Sequence, residues 1–182
     1  MRIVATLALM GSLTLPAHGQ TSLEDRDFAL TKAVITEVNR YTHVSMFDDV
    51  GVQVTSGTVT LYGKVTDGYK RDTLGRLVAR LDGVEAVDNR IELLPALAMD
   101  RELRVRIANA IYGHPVFLGR SARANPPIHI IVERGEVTLT GVVAGNVERQ
   151  LAASLAAHNG AKSIVNELRT DAEVDAGIAT ES

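Results

Sequence analysis

Histidine is the side chain most often used to hold a metal or pass a proton, and this chain has five: His18, His43, His114, His129 and His158. They are scattered, and none sits in an H-E-x-x-H or comparable ligand set. His129 lies in the apolar run Ile128 to Val132, out of phase with Ile128 and Ile130, which suits a structural or surface role. Ser45, Ser56, Ser121, Ser154 and Ser163 lack both a G-x-S-x-G elbow and the nearby base a hydrolase needs. Asp48-Asp49 read as a polar approach to a strand, and no paired-carboxylate pattern supports glycoside hydrolysis. The glycines match neither G-x-x-x-x-G-K-[ST] nor G-x-G-x-x-G, so they are not read as a phosphate cradle. Gly57 and Gly135 instead suit positive φ in turns, and Gly63 and Gly141 a bulge or tight exit. The residues point to no catalytic centre, no cofactor and no metal.

What remains is physical contact with a charged surface. The segment Gly113 to Pro127 sets Val116, Phe117 and Leu118 beside Arg120 and Arg123. An apolar wedge next to cations suits the interfacial region of an anionic bilayer. Arg104 and Arg106 extend the positive field from the preceding helix, although they do not share one ideal helical face. Each arginine near such a surface adds about 1 kcal/mol at most, so attachment would be reversible and salt-sensitive. The same segment has a second reading: Val116 to Leu118 dock inward and complete a core between two halves, leaving the arginines merely solvated. The sequence leaves both open.

Composition narrows the class further. The 182 residues suffice for one medium domain or two small ones, and 46% hydrophobic content predicts a folded core. Aromatics are only 4%, with no Trp, which leaves few platforms for stacking bases and argues against nucleic acid. There is no Cys, so packing alone must hold the chain together. Residues 1–19 read as a signal peptide, with Arg2, an apolar run Ile3 to Leu15, and Ala17-His18-Gly19 before the cut. Beyond Gln20 no apolar stretch is long enough to cross a membrane, so no transmembrane segment is expected in the mature chain. Residues 27–95 carry 8 basic and 10 acidic side chains, whereas residues 100–169 carry 9 and 6. The second half is the one suited to an anionic partner.

An internal repeat organises the elements. Gly57-x-Val59-Thr60-Leu61-x-Gly63 aligns with Gly135-x-Val137-Thr138-Leu139-x-Gly141 at an offset of 78. Upstream, Asp27, Leu30, Val34 and Val38 align with Asp100, Leu103, Ile107 and Ile111 at an offset of 73. Downstream, Gly83 and Asn89 align with Gly160 and Asn166 at 77. The changes of offset place an insertion and a deletion in loops. Leu30, Ala33, Val34, Val38 and Tyr41 repeat at helical spacing, so one stripe should face the core, and Ser22 with Asp25 would cap that helix. Val52, Val54, Val59 and Leu61 alternate around Ser56-Gly57 as a hairpin. Leu74, Leu77, Val78 and Leu81 form a second helical stripe, and Val84 to Leu93 a third strand of blurred phase. Each unit is therefore helix, strand, strand, helix, strand: an α+β, two-layer module with a three-stranded mixed sheet. The expected organisation is a lead-in over 20–26, modules over 27–95 and 100–169, a short linker over 96–99 and a mobile acidic tail over 170–182.

The doubled pattern V-x-V-x-x-G-x-V-T-L-x-G-x-V resembles a BON domain. Val52, Val54, Gly57, Val59, Thr60, Leu61, Gly63 and Val65 carry the resemblance in the first copy. Ile130, Val132, Gly135, Val137, Thr138, Leu139, Gly141 and Val143 carry it in the second. Gly83-Val84-x-x-Val87-x-Asn89 adds to it, while Ala161 and Ile164 depart from it in the second copy. The chain looks most like the soluble, osmotically inducible tandem type, because it lacks the Cys of the lipoprotein type. The resemblance implies a periplasmic, non-enzymatic role in envelope integrity or osmotic stress, with anionic phospholipid or an envelope protein as partner. It points to the second module for lipid contact. The alternative is a protein-interaction or stress-protective module without lipid affinity.

Overall fold

The computed structural model describes residues 22–120 and 126–180; the signal peptide expected over 1–19 lies outside them. The first module runs α1 (Leu23–Arg40), β1 (Asp49–Thr55), β2 (Thr58–Val65), α2 (Gly68–Val78), β3 (Ala86–Asn89) and β4 (Glu92–Leu93). The second repeats it as α3 (Ala98–Tyr112), β5 (Ile128–Glu133), β6 (Glu136–Val143), α4 (Asn146–His158), β7 (Ser163–Asn166) and β8 (Arg169–Thr170). The two-layer α+β unit read from the sequence is thus present twice.

Helix α1 starts where its chemistry dictates. The Ser22 hydroxyl accepts from the Asp25 N–H at 3.1 Å, and the Asp25 carboxylate accepts from the Ser22 N–H at 3.2 Å. Much of the expected lead-in therefore belongs to the helix. Leu30, Val34 and Val38, one turn apart, are buried against the sheet, whereas Ala33 faces solvent.

β1 and β2 pair antiparallel through a two-residue turn, with Val54 opposite Val59 and Val52 opposite Leu61. Ser56 (φ 48°) and Gly57 (φ 74°) are both left-handed, and so are Arg134 (φ 53°) and Gly135 (φ 80°) in the second hairpin. The aligned aspartates explain themselves here. Asp27 accepts from the Ser56 and Gly57 N–H groups at 2.6 and 3.0 Å. Asp100 accepts from Arg134 and Gly135 at 2.7 and 2.9 Å. Each first helix thereby fixes its own hairpin turn, across 29 to 35 residues of sequence.

β3 and β4 both run parallel to β2, and together they make one broken third strand. The break is imposed by Asn89. Its amide donates to the Arg71 carbonyl at 2.8 Å, and its side-chain oxygen accepts from the Ile91 N–H at 3.3 Å. Asn166 does the same with Arg149 and Leu168, at 3.0 and 3.3 Å. The interruption turns Ile91 and Leu168 into the two cores, at 3% and 2% exposure, and accounts for the blurred phase.

Two expectations need correction. Gly63 and Gly141 sit in unbroken pairing, opposite Val50 and Ile128, so neither marks a bulge. What they permit is close approach: at φ 114° a Cβ on Gly141 would lie 2.0 Å from the Pro127 carbonyl oxygen. The acidic segment after Arg169 is no irregular tail but a helix, α5 (Asp171–Thr180). Thr170 and Glu173 cap it reciprocally, at 2.8 and 3.3 Å, and Glu173 pairs with Arg149 at 2.9 Å.

The modules touch, as the short linker requires. The Ile130 N–H donates to the Met46 carbonyl at 2.7 Å, so the free edge of the second sheet is partly covered by the first module. His129 Nδ1 donates to the Asp48 carbonyl at 2.6 Å, and Lys64 pairs with Glu133 at 2.5 Å. Met46 and Phe47 pack onto the second core. Among the described residues, no helix is long and apolar enough to cross a membrane.

Candidate functional site

The seven residues expected to meet a lipid surface do not form one face. Phe117 is fully buried in the second core, while its neighbours Val116 and Leu118 are 45% and 58% exposed. Burying a Phe yields roughly 1.5–3 kcal/mol relative to leaving it exposed, so the wedge gives its largest member to the core. Arg104 is also inside, at 7% exposure, with Nη2 donating to the Val132 carbonyl at 2.6 Å. Burial pushes its guanidinium below the ordinary value, against the opposing pull of Asp100 and Asp48. Neither Phe117 nor Arg104 is available for surface contact. Arg106 is exposed, the Arg120 backbone closes a short 3-10 turn (Leu118–Arg120), and Arg123 lies outside the described residues.

A different set of cations converges. Arg106, from α3, lies over Gly160, where an added Cβ would come within 3.4 Å of its Nη1. Arg134 comes from the β5–β6 turn and Lys162 from the loop after α4. These three line a groove of about 570 Å³ together with Leu97 and Met99, which are 46% and 82% exposed. Arg106 and Arg134 form no ion pair among the described residues, and Lys162 stands 4.0 Å from Glu136. Asp100 also lines the groove, but its two oxygens already serve the turn amides.

The repeat supplies an internal comparison. The first module has a groove in the same place, about 560 Å³, between the start of α1, the β1–β2 turn and the loop after α2. There, Ala33, Ser56 and Glu85 occupy the positions of Arg106, Arg134 and Lys162, and Arg26 that of Met99. The first groove carries Arg26 against Asp27, Asp82 and Glu85; the second carries three cations against Asp100 and Glu102. The same backbone therefore presents a net negative groove in one module and a net positive, more apolar one in the other. Leu97, Met99, Arg134 and Lys162 were not singled out from the sequence. The signal was there, because the repeat alignment puts Arg134 against Ser56 and Lys162 against Glu85.

The first module matches its buried charge internally. Asp48 is fully buried; one oxygen accepts from the Thr66 N–H and hydroxyl, the other from Ser45 and from Lys70 Nζ at 2.7 Å. No group of three or more histidines and carboxylates among the described residues could hold a metal.

A family profile described as the BON domain matches residues 26–95 and 117–172. Among solved structures, similarity is found to CdsD, a structural protein of the type III secretion system of Chlamydia trachomatis. That match is 14% identical, covers 82% of this chain and 99% of that one, and has a TM-score of 0.27. The C-terminal domain of CdsD is 16% identical over 81% of this chain and 69% of that one, with a TM-score of 0.29. No curated protein matches.

Proposed function

Because this chain belongs to the BON-domain family, we propose that it is a periplasmic, non-enzymatic envelope-maintenance protein that holds anionic phospholipid weakly through its second module. The observation that carries the reading is the change of charge between equivalent grooves. Arg106, Arg134 and Lys162 replace neutral or acidic side chains, while Met99 and Leu97 replace Arg26 and Glu24. Cations beside an exposed apolar edge suit a headgroup phosphate with acyl chain next to it. No bond is made or broken in such a role. The fold supplies a rigid frame, and the partner is held by charge and apolar contact.

Sedimentation of the mature protein with neutral and anionic liposomes, across a salt series, tests this. Binding is expected to anionic vesicles only, and to weaken as salt shortens the range of the charges. Equal absence of binding to both vesicle types would remove the lipid reading. Osmotic-stress protection is the physiological role most in keeping with weak, reversible attachment.

A further inference from the structure

Strands β1 and β5 stand at equivalent sheet edges, and the chain treats the two edges differently. Each is hydrogen-bonded to a neighbouring strand on one side only, β1 to β2 and β5 to β6. A two-residue turn makes every second pair the hydrogen-bonded one, so Val50, Val52 and Val54 turn their N–H and C=O away from β2. Their counterparts on β5 are Ile128, Ile130 and Val132, and all three are answered within the chain. The Tyr112 hydroxyl accepts from the Ile128 N–H at 2.9 Å and donates to its carbonyl at 2.6 Å. The Ile130 N–H donates to the Met46 carbonyl, and the Val132 carbonyl accepts from Arg104 Nη2. On β1, no group among the described residues answers Val52 or Val54 on that side. Thr31 stands at the place of Arg104, but its hydroxyl donates to the Asp27 carbonyl one turn back at 2.8 Å.

The flank of α1 beside this edge is bare as well. Arg26, Ala29 and Ala33 line the groove on the α2 side, which leaves Phe28, Thr31 and Ile35 on the β1 side. Arg104, on the matching flank of α3, confirms the direction by reaching the outer edge of β5. Phe28 and Ile35 are 57% and 44% exposed, whereas Ala108, the counterpart of Ile35, is buried. β1 has seven residues, with no Lys, no Pro and no bulge to blunt it. Such an edge, beside apolar side chains, is a template for a further strand.

The layer above the edge selects the occupant. α1 lies over β1, with Leu30, Val34 and Val38 in one cluster with Val50, Val52 and Val54. Paired strands lie about 4.8 Å apart, whereas packed helices need about 8–10 Å. A second copy joined through β1 would bring its own α1 and drive the two helices together. A lone extended segment, with no helix over it, fits. Antiparallel pairing is the more stable arrangement, and it places residues directly opposite on one face.

We propose that the outer edge of β1 takes up an extended segment of another polypeptide as an added antiparallel strand, its alternate apolar side chains set against Phe28 and Ile35. The site does not rest on lipid attachment, whose cations belong to the second module.

The test is amide hydrogen exchange of the mature chain, read at Val52 and Val54, with acetyl-Glu-Val-Thr-Val-Thr-Val-Lys-amide as probe. In the antiparallel pairing its Glu lies toward Lys32, whose Nζ sits 4.2 Å from the Phe28 ring centre, and its Lys toward Asp49. Its three valines face Val54, Val52 and Val50. The peptide is expected to slow exchange at Val52 and Val54 saturably. N-methylation of its central Val removes a donor aimed at β1 and should weaken binding roughly tenfold, while N-methylation of a Thr, whose N–H points outward, should not. Val52→Pro, which removes only an outward N–H, and Ile35→Glu, at an exposed position, should each weaken the peptide and leave vesicle binding unchanged. Equal effects of the two N-methylations, or no protection at Val52, would overturn the proposal. So would protection of Val52 by anionic vesicles, or by concentration-dependent dimerisation of the chain alone, since either would give the edge a different occupant.

Discussion

Asp48 and Lys70 form the most enclosed ion pair described, with side chains 0% and 6% exposed. Burial pushes the Asp48 carboxyl up, but hydrogen bonds from Lys70, Thr66 and Ser45 together hold it below its ordinary value of 3.8. A depressed folded value means that the stabilisation is full above 3.8 and is lost as pH falls toward the folded value. Asp48→Asn leaves buried Lys70 with only the half-exposed Asp67, 3.7 Å away, as counter-charge and should cost about 3 kcal/mol at neutral pH. Urea unfolding followed by circular dichroism would measure it. The variant should also lack the extra loss of stability expected of the native protein below about pH 4. Parallel decline of both proteins with acid would contradict the assignment. The sequence shows Asp48 only as one of two acids before a strand. Nothing in its local pattern marks Lys70, 22 residues on, as its partner. By contrast, the turn glycines and the Ser22–Asp25 cap were legible, because local backbone chemistry alone decides them.

Elements were readable to the extent that their signals were local and repeated. The doubled hairpin and the stripes Leu30-Val34-Val38 and Leu103-Ile107-Ile111 gave both sheets and both first helices. The third strands were blurred because Asn89 and Asn166 break them through contacts with α2 and α4, which no alternation of residues reveals. Helix α5 was missed for another reason. Its composition has no apolar stripe, yet Thr170-x-x-Glu173 is a reciprocal cap like the one at Ser22 and marks the helix start in the sequence. A helix that depends on its cap should respond to loss of it. Glu173→Ala removes the bond from the Thr170 N–H and the Arg149 pair, and should destabilise the start of α5. Amide hydrogen exchange would show faster exchange across Asp171–Thr180, with β5 and β6 unchanged. Uniform acceleration throughout the second module would instead make α5 part of its cooperative core. The placement of α5 at Arg149, on the β8 side of β6, also keeps its acidic first turn away from the cationic groove at the β5–β6 turn.

At the scale of the whole molecule, duplication separates what the fold needs from what one copy has specialised. Asp27 and Asp100, Asn89 and Asn166, and the paired glycines do the same structural work in both modules. Positions that differ while the backbone stays the same are free to carry function, and the groove positions differ in charge. The first module is therefore a control for the second within one chain. Replacing the second groove's cations by the first module's residues, as Arg106→Ala, Arg134→Ser and Lys162→Glu together, should leave the fold intact. Each of those residues already occupies the matching place in a folded copy, including left-handed Ser56 at the turn. At no more than about 1 kcal/mol per cation near an anionic surface, the triple variant should lose up to roughly a hundredfold in anionic-vesicle affinity at low salt. The reciprocal variant, Ala33→Arg, Ser56→Arg and Glu85→Lys, should acquire salt-sensitive vesicle binding in the first module, and adding it to the triple variant should restore part of what was lost. Arg134, at φ 53°, shows that an arginine fits the turn position being changed. If affinity is unmoved by the first exchange, attachment resides in another surface of the chain. If the first exchange abolishes binding and the second fails to confer it, the apolar edge at Leu97 and Met99 is the missing contribution, since Glu24 and Arg26 stand there in the first module.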